Sequence, residues 1–188
     1  MSAEFKLVIA PEEAEYLKDL ARWSILHGLK RKGLPEESEV DGPPQGSALR
    51  RELGAFVTLK IGGRLRGCIG YIVGQGPLYM TVVRMAQAAA FEDRRFQPLT
   101  LDEFSRVDIE ISVLSPIAPC PDPEAIEIGR HGLIISKNGR QGLLLPQVPV
   151  EWGWDRLTFL DQLCAKAGLK AGEWKQGAEL LWFEAVVL

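Results

Sequence analysis

The chain has 188 residues, of which 46% are hydrophobic and 25% are charged, as in an average globular protein. At about 150 residues per domain, this length predicts one domain with room for two lobes and excludes a multi-domain assembly. A chain of this size buries about 70% of its unfolded surface, so it needs no metal or disulfide to fold. Twenty-two Lys and Arg against 25 Asp and Glu give a net charge of −3, which argues against a dedicated nucleic-acid-binding protein but leaves room for a local basic patch.

The cysteines predict a reducing compartment. Cys68, Cys120 and Cys164 are widely spaced and form no CxxC pair, so they do not indicate a disulfide framework. The three cysteines and two histidines are scattered, which gives no zinc-binding spacing, and the sequence indicates no metal and no cofactor. The first residues lack a signal-peptide pattern and no apolar run approaches the roughly 20 residues of a membrane span, so we expect a cytoplasmic protein.

The first predicted element is a helix from Pro11 to about Lys32, since Pro suits the first turn and the acids after it favour the positive helix end. Its spacing predicts a core-facing stripe of Tyr16, Leu17, Leu20, Ala21, Trp23, Ser24 and His27. His27 on this stripe is interpreted as a core histidine with satisfied hydrogen bonds rather than a ligand. Residues 33–47 are rich in Gly, Pro and acids, and they indicate an exposed loop.

The next segment predicts a β-hairpin that turns at Gly62-Gly63. A two-residue turn pairs Ile61 with Arg64, Leu59 with Arg66 and Val57 with Cys68. If the second strand is regular, Arg64, Arg66 and Cys68 share one face.

The remaining elements place the chain in the α+β class. A second helix has an Ala-rich segment that indicates close packing against another element, and the strands form antiparallel pairs rather than alternating with helices. The predicted ranges are helix 78–92, a short turn 101–104, strand 107–116, a hairpin near Asn138-Gly139, helix 155–167 and strand 180–187. Residues 116–125 carry four prolines and are the predicted boundary between lobes.

A dinucleotide-binding loop is the weaker interpretation of residues 72–83. Gly74 and Gly76 precede the second helix, but Tyr79 stands where the third glycine of that fingerprint belongs, and the preceding strand belongs to a hairpin.

Cys68 is the strongest candidate for chemistry. Arg66 lies two residues away, and a nearby guanidinium favours the reactive thiolate form of a cysteine. Gly67 and Gly70 carry no side chains, so a ligand or another backbone can approach closely. The alternative is that Cys68 simply packs in the sheet, and local sequence alone favours that alternative.

Three further features have both a functional and a structural interpretation. His131 follows a turn and is a candidate proton relay, or else a turn histidine bonded to the backbone. Phe91–Phe96 packs four charges between two aromatics, which indicates either an ion-paired helix end or an arginine that holds an anion. Trp152 and Trp154 flank a glycine at a helix entry, and they could stack on a base or a partner.

Taken together, these motifs resemble the AMMECR domain family over residues 5–187. The hexapeptide Leu65-Arg66-Gly67-Cys68-Ile69-Gly70 is the hallmark of that family. The other matching segments are Gly54–Leu59, Ala89–Phe91, Asp93, Arg95-Phe96, Pro98-Leu99, His131-Gly132, Gly142–Val148, Trp154-Asp155 and Lys166–Leu169.

The resemblance implies a single two-lobed α+β domain, with a larger lobe of 1–116 and 178–188, a smaller lobe of 117–177, and a cleft lined by the hexapeptide. It also implies work in a modification pathway of RNA or a small molecule, beside a radical S-adenosylmethionine protein and a Memo-like protein. We therefore expect catalytic roles for Cys68 and His131, and ligand contacts from Arg66, Asp93 and Arg95. The rival hypotheses are a non-catalytic accessory module that binds partner proteins or RNA, and a purely structural domain.

Overall fold

The computed structural model describes residues 7–31 and 33–188, and it confirms the α+β class. Within these residues it has five α-helices and seven strands, and all the strand pairs it records are antiparallel. The helices are α1 (Pro11–Arg31), α2 (Leu78–Phe91), α3 (Leu101–Phe104), α4 (Gln147–Trp152) and α5 (Arg156–Lys166), and the strands are β1 (Ala55–Ile61), β2 (Arg64–Tyr71), β3 (Val107–Leu114), β4 (Ala118–Pro119), β5 (His131–Lys137), β6 (Arg140–Leu144) and β7 (Glu179–Val187). Two expectations fall partly outside the described residues. The lack of a signal-peptide pattern concerns a segment that includes residues 1–6, and the predicted end of α1 falls on residue 32.

The chain divides into two compact units, the first made of Val8–Leu114 and Val186–Leu188 and the second of Ser115–Ala185 with Leu7. The sequence placed the boundary two residues later and assigned the whole last strand to the first unit. Most of β7 instead belongs to the second unit, because it pairs with β5 along residues 179–184.

The first unit is built around α2, which is apolar on nearly every side. Its residues from Leu78 to Ala90 are buried except for Arg84, because α2 packs against α1 and against strands β1 and β2. Alternate residues of β1 (Ala55, Val57 and Leu59) are fully buried, while Phe56, Thr58 and Lys60 between them are partly exposed. The sheet order in this unit is β2-β1-β3, with Leu188 bonded to Ile111 of β3.

The predicted close packing of the Ala-rich segment is confirmed at Gly67. A Cβ atom on Gly67 would overlap the carbonyl oxygen of Ala89, so β2 and α2 meet backbone to backbone at this point. Only glycine allows this distance between the strand and the helix.

The regular register predicted for the hairpin is wrong beyond the two pairs next to the turn. Ile61 pairs with Arg64 and Lys60 with Leu65, but a β-bulge follows, and Leu59 then pairs with Gly67 while Thr58 pairs with Cys68. Arg66 is the extra residue of the bulge and has no partner across the ladder. It therefore does not alternate regularly with Cys68, and the shared face predicted for the two residues is not formed.

The core stripe predicted for α1 is partly wrong. The structure confirms the burial of Leu17, Leu20, Ala21 and Ser24. The buried side of the helix also includes Ile25, which was not predicted, and Trp23 is exposed instead of buried. The buried stripe is thus rotated away from Trp23, which is 37% exposed.

The second unit has the strand order β4-β7-β5-β6, with α5 packed on β5 and β6. Asp155 caps α5 by accepting a hydrogen bond from the Thr158 backbone at 2.8 Å, as the sequence predicted. Helix α4 was not predicted, since Pro149 within it signals a break. The core of this unit consists of Ile126, Leu133, Ile135, Leu144, Phe159, Leu160, Leu163, Cys164 and Ala167.

We expect Gly67→Ala to lower the free energy of unfolding by about 1–3 kcal/mol, because the added methyl group forces β2 away from α2. The measurement is urea denaturation of the full chain. Gly33→Ala is the matched control, since a Cβ there meets nothing within 4 Å and the change should cost under about 0.5 kcal/mol. Equal losses for the two variants would show that the contact with Ala89 does not constrain the fold.

Candidate functional site

The site lies in the first unit, where β2 passes the loop that follows α2. The backbone N–H of Cys68 donates a hydrogen bond to Oδ2 of Asp93 at 2.9 Å. The Asp93 side chain is only 5% exposed, so its charge needs a partner inside the protein. Arg95 supplies that partner, and the carboxylate thereby links β2 to the loop.

The Arg95 side chain donates two hydrogen bonds to the Asp93 carboxylate. Its Nε donates to Oδ1 at 2.9 Å and its Nη2 to Oδ2 at 2.7 Å, while the backbone N–H of Arg95 also reaches Oδ1. The Arg95 guanidinium holds the pKa of Asp93 well below its usual range, and the Cys68 N–H bond acts in the same direction. Asp93 is therefore a fixed negative charge at any ordinary pH.

A second guanidinium–carboxylate pair stands beside the first. Nε and Nη2 of Arg66 donate to the two carboxylate oxygens of Glu103 at 2.8 and 3.0 Å, and Nη2 also donates to the Gln97 carbonyl at 2.9 Å. This pairing lowers the pKa of Glu103 to about 2, with help from the backbone N–H of Thr100. Glu103 and Thr100 also form the capping box of α3.

Phe96 joins the two pairs. The guanidinium carbon of Arg66 lies 5.7 Å from the centre of its ring, and that of Arg95 lies 5.6 Å away. Both distances fall within the range in which an aromatic ring attracts a cation. The ring therefore lies against both guanidiniums and connects the two ion pairs.

The Cys68 thiol is partly exposed and has a hydroxyl donor. Oγ1 of Thr58, on the neighbouring strand, lies 3.2 Å from Sγ of Cys68. A hydroxyl that donates to sulfur stabilises the negative charge of a thiolate. The Cys68 carbonyl also accepts a long bond of 3.4 Å from Nη2 of Arg95, so the backbone of Cys68 is held on both sides.

The structure therefore brings together four of the five residues singled out for chemistry or binding. Cys68, Asp93 and Arg95 are in direct contact, and Arg66 is connected to Arg95 through Phe96. Both guanidiniums bind carboxylates of the chain itself. A ligand anion would have to use the remaining donors of Arg95, whose side chain is 56% exposed, against 14% for Arg66.

His131 belongs to the second unit, at the start of β5, and is buried there. Its Nδ1 accepts a hydrogen bond from the Glu127 backbone N–H at 3.0 Å, and its ring lies 4.3 Å from that of Trp182. This is the backbone-bonded arrangement that the structural interpretation expected. Its catalytic role stays a prediction.

Thr58, Phe96 and Glu103 are site residues that the sequence analysis did not single out. The Thr100-x-x-Glu103 spacing is a recognisable capping box and could have drawn attention to Glu103. Thr58 could not be found, because the predicted register placed Val57 opposite Cys68. Among the described residues no three His, Cys, Asp or Glu side chains are placed to hold a metal ion.

The fold and the site together define a two-unit α+β protein with a partly exposed cysteine beside two guanidinium–carboxylate pairs. The sequence profile of the AMMECR1 family matches residues 18–188, and the chain belongs to that family. None of the described helices combines the length and apolar character needed to cross a membrane.

Individual relatives agree with this assignment. A protein of Methanopyrus kandleri is 42% identical over 186 residues, which cover 94% of this chain and 87% of the relative. A protein of Aquifex aeolicus is 48% identical over 170 residues, covering 87% and 83%. The crystal structure of an uncharacterised protein of Pyrococcus horikoshii is similar with a TM-score of 0.83 and 38% identity, and covers 95% of this chain and 92% of that one.

We expect Asp93→Asn to destabilise the protein by roughly 1–3 kcal/mol at neutral pH, because the amide NH₂ would face the Arg95 guanidinium. The pKa of Asp93 is lower in the folded state than in the unfolded state. The stability that its charge contributes is therefore fully present above the ordinary pKa of an Asp, and it is lost as pH falls through and below about 4. The gap between wild type and variant should therefore narrow in acid. The measurement is urea denaturation at about pH 7 and about pH 3.

Asp102→Asn is the matched control for this prediction. Asp102 also pairs with an arginine, Arg106, at 2.9 Å, but its side chain is 89% exposed. Solvent screening should keep its effect under about 0.5 kcal/mol at either pH. If the difference in unfolding free energy between wild type and Asp93→Asn did not change with pH, the charge of Asp93 would not be what stabilises the fold.

Proposed function

We propose that this AMMECR1-family chain is an enzyme, or a component of one, in a modification pathway, and that Cys68 is its reactive group. The observation that carries the proposal is the Cys68 thiol, which accepts a hydroxyl hydrogen bond from Thr58 while Asp93 and Arg95 fix its backbone. A partly exposed cysteine close to a guanidinium is the setting in which a thiol acts as a nucleophile.

In this proposal the residues around Cys68 have separate tasks. Asp93 positions Cys68, and Arg95 directs its remaining donors toward an anionic group of the substrate. Arg66 binds Glu103, and it helps to position Arg95 because both guanidiniums lie against the Phe96 ring. His131, in the second unit, keeps the proton-relay role that the sequence suggested, and its Nδ1 accepts the Glu127 N–H there. The cleft that the family resemblance implies stays a prediction.

The three cysteines are free, and a working thiol requires a reducing compartment, so the proposal includes a cytoplasmic setting. The pathway partners follow from the family resemblance alone: a radical S-adenosylmethionine protein and a Memo-like protein. The modified molecule is either RNA or a small molecule.

A second candidate function, a non-catalytic module that binds partner proteins or RNA, is favoured by a different surface. Val150 and Trp152 of α4 are 58% and 70% exposed, and Leu157 in the first turn of α5 is 50% exposed. Trp152 stacks on Trp154 with ring centres 6.1 Å apart. Exposed apolar side chains this close in sequence are typical of a contact surface.

The thiol proposal predicts that iodoacetamide modifies Cys68 in the folded chain faster at neutral pH than in the unfolded chain. Cys120 and Cys164 should react more slowly when folded, because burial raises the pKa of both thiols. Peptide mass spectrometry of the alkylated chain separates the three sites. Protection of Cys68 until the chain unfolds would rule out a reactive role.

A variant of Thr58 tests whether its hydroxyl activates the Cys68 thiol. Thr58→Val keeps the shape of the side chain but removes the bond to Sγ, and we expect the alkylation of Cys68 to slow by roughly two- to tenfold. Thr81→Val is the matched control, since its hydroxyl bonds to the Pro77 carbonyl in α2. Equal rates for all three proteins would show that Thr58 does not activate the thiol.

The two candidate functions predict different outcomes in pull-downs with the radical S-adenosylmethionine and Memo-like proteins. Under the accessory hypothesis, Trp152→Ala abolishes binding while Cys68→Ser leaves both binding and pathway activity intact. Under the enzyme proposal, Cys68→Ser abolishes pathway activity. Leu101→Ala, which removes a side chain that is 62% exposed in the first unit, controls for loss of any exposed apolar residue.

A further inference from the structure

Five cationic side chains of the second unit come from two segments that the fold brings together. Lys137 and Arg140 lie directly opposite each other at the turn of the hairpin that β5 and β6 form. Lys166, Lys170 and Lys175 belong to the end of α5 and to the residues that follow it. We call these five residues the basic end of the second unit.

Three contacts hold the two segments side by side. Nη1 of Arg140 donates a hydrogen bond to the Gly168 carbonyl, just after α5. Nζ of Lys137 donates to Oε1 of Glu173 at 2.9 Å. A Cβ on Gly142 would lie 2.8 Å from the backbone nitrogen of the residue that follows α5, so the hairpin packs closely on the end of this helix. The fold therefore fixes cations that are far apart in the sequence at one end of the unit.

Two carboxylates lie near the basic end, and both are bonded within the chain. Oε1 of Glu173 accepts the bond from Lys137, and Oε2 accepts the backbone N–H of Lys170 at 2.7 Å. Oδ1 of Asp161 accepts the indole N–H of Trp174 at 3.0 Å. One of the five cations is thus paired with a carboxylate, and the charge of Asp161 is used to hold a ring.

A third carboxylate, Glu179, belongs to the other side of the sheet. It lies opposite Ser136, whose side chain alternates with the core residue Ile135 that packs on α5. Lys137 and Arg140 share the α5 side with Ile135, because side chains two positions apart or directly opposite lie on one face. Glu179 therefore does not neutralise the basic end.

The remaining four cations are open to a ligand. Arg140, Lys166, Lys170 and Lys175 are exposed, and within the part of the chain that the structure describes none of them forms an ion pair with a carboxylate. Cations of this kind bind a polyanion favourably, because each contact releases a counterion from the polyanion. The basic end is thus suited to a ligand with several regularly spaced negative charges.

The surface between these cations admits a polymer and offers no anchor for a membrane. A Cβ on Gly139 or Gly172 would meet nothing within 4 Å, so an extended strand can lie directly against the backbone there. Among the described residues, none of the large exposed apolar side chains lies in 137–142 or 161–178. Insertion into a lipid surface needs such side chains beside the charges.

Trp174 supplies an aromatic surface beside the charges. The residue is partly exposed, and Nζ of Lys175 lies 4.7 Å from the centre of its ring. The bond from its indole N–H to Asp161 holds the ring in one orientation. Proteins that bind single-stranded nucleic acids use this combination, in which cations contact the phosphates and a ring stacks on an unpaired base.

We propose that the basic end binds single-stranded nucleic acid through its phosphates, with an unpaired base stacked on Trp174. A net charge of −3 for the whole chain permits this, because the unpaired cations are gathered at one place. The inference deepens the proposed function, in which RNA is one candidate for the bound or modified molecule. It does not depend on the reactivity of Cys68.

Fluorescence anisotropy of a labelled oligouridine of about 20 nucleotides, titrated with the full chain, tests the proposal. Four phosphate contacts predict that the logarithm of the binding constant falls with the logarithm of the salt concentration with a slope of about −3. Lys170→Gln and Lys175→Gln should each weaken binding roughly two- to fivefold at about 100 mM salt and reduce the slope by about 0.7. Lys18→Gln removes an exposed lysine of the first unit, and as the matched control it should change neither value.

The choice of strand tests the two kinds of contact separately. Oligothymidine of the same length should bind within about threefold of oligouridine, because the phosphates are common to both. A strand of abasic deoxyribose phosphates should bind roughly fivefold or more weakly than oligothymidine, because it lacks the base that stacks on Trp174. Cys68→Ser should bind oligouridine as wild type does, so a failure of the thiol proposal would leave this result unchanged.

Four results would overturn the assignment. They are equal weakening by Lys18→Gln, binding that does not change with salt, binding of a duplex of the same length at least as tight as that of the single strand, and equal binding of a polyglutamate peptide of the same charge. The last would assign the basic end to an acidic segment of a partner protein. Equal binding of the abasic strand would remove Trp174 from the contact.

Discussion

The carboxylate of Asp93 is the interaction on which the candidate site depends. It is almost completely buried, and it receives bonds from the backbone of Cys68 on β2 and from the side chain and backbone of Arg95 on the loop after α2. A buried charge of this kind is tolerable only when every partner is in place. The same group therefore fixes the loop, orients Arg95 and sets the position of the thiol, and the exposed part of Arg95 is what remains for contact with other molecules.

The bulge in β2 and the contact at Gly67 explain how the hexapeptide reaches this arrangement. Gly67 lets β2 approach the backbone of α2, and Arg66 just before it is the extra residue of the bulge, so it has no partner in the ladder. Arg66 can then pair with Glu103 in α3 while Cys68 stays paired with Thr58 in the sheet. Arg66 and Cys68, two positions apart, thus contact different neighbours, whereas a regular strand would have placed them on the same face.

Local sequence rules predicted the elements of this fold more successfully than their side-chain geometry. The hairpin turns at Gly62-Gly63 and the cap at Asp155 depend on a few neighbouring residues, and the structure confirms both. The bulge depends on the packing of Gly67 against Ala89, more than twenty positions away, which no local pattern contains. The same is true of Asp93, whose carboxylate could be assigned to a ligand or to the chain only after its distance to Cys68 was known.

A net charge of −3 conceals a marked separation of charge within the first unit. Around Cys68 the guanidiniums of Arg66 and Arg95 are each paired with a carboxylate of the chain, Glu103 and Asp93, whereas Asp19 of α1 and Asp41 have no side-chain ion pair within the described residues. An overall charge near neutrality excludes a uniformly basic surface, but it sets no limit on either local field, because both arise from residues that the fold brings together. Near Cys68 the two carboxylates offset the two guanidiniums, so only the exposed part of the Arg95 side chain is left to attract an anion.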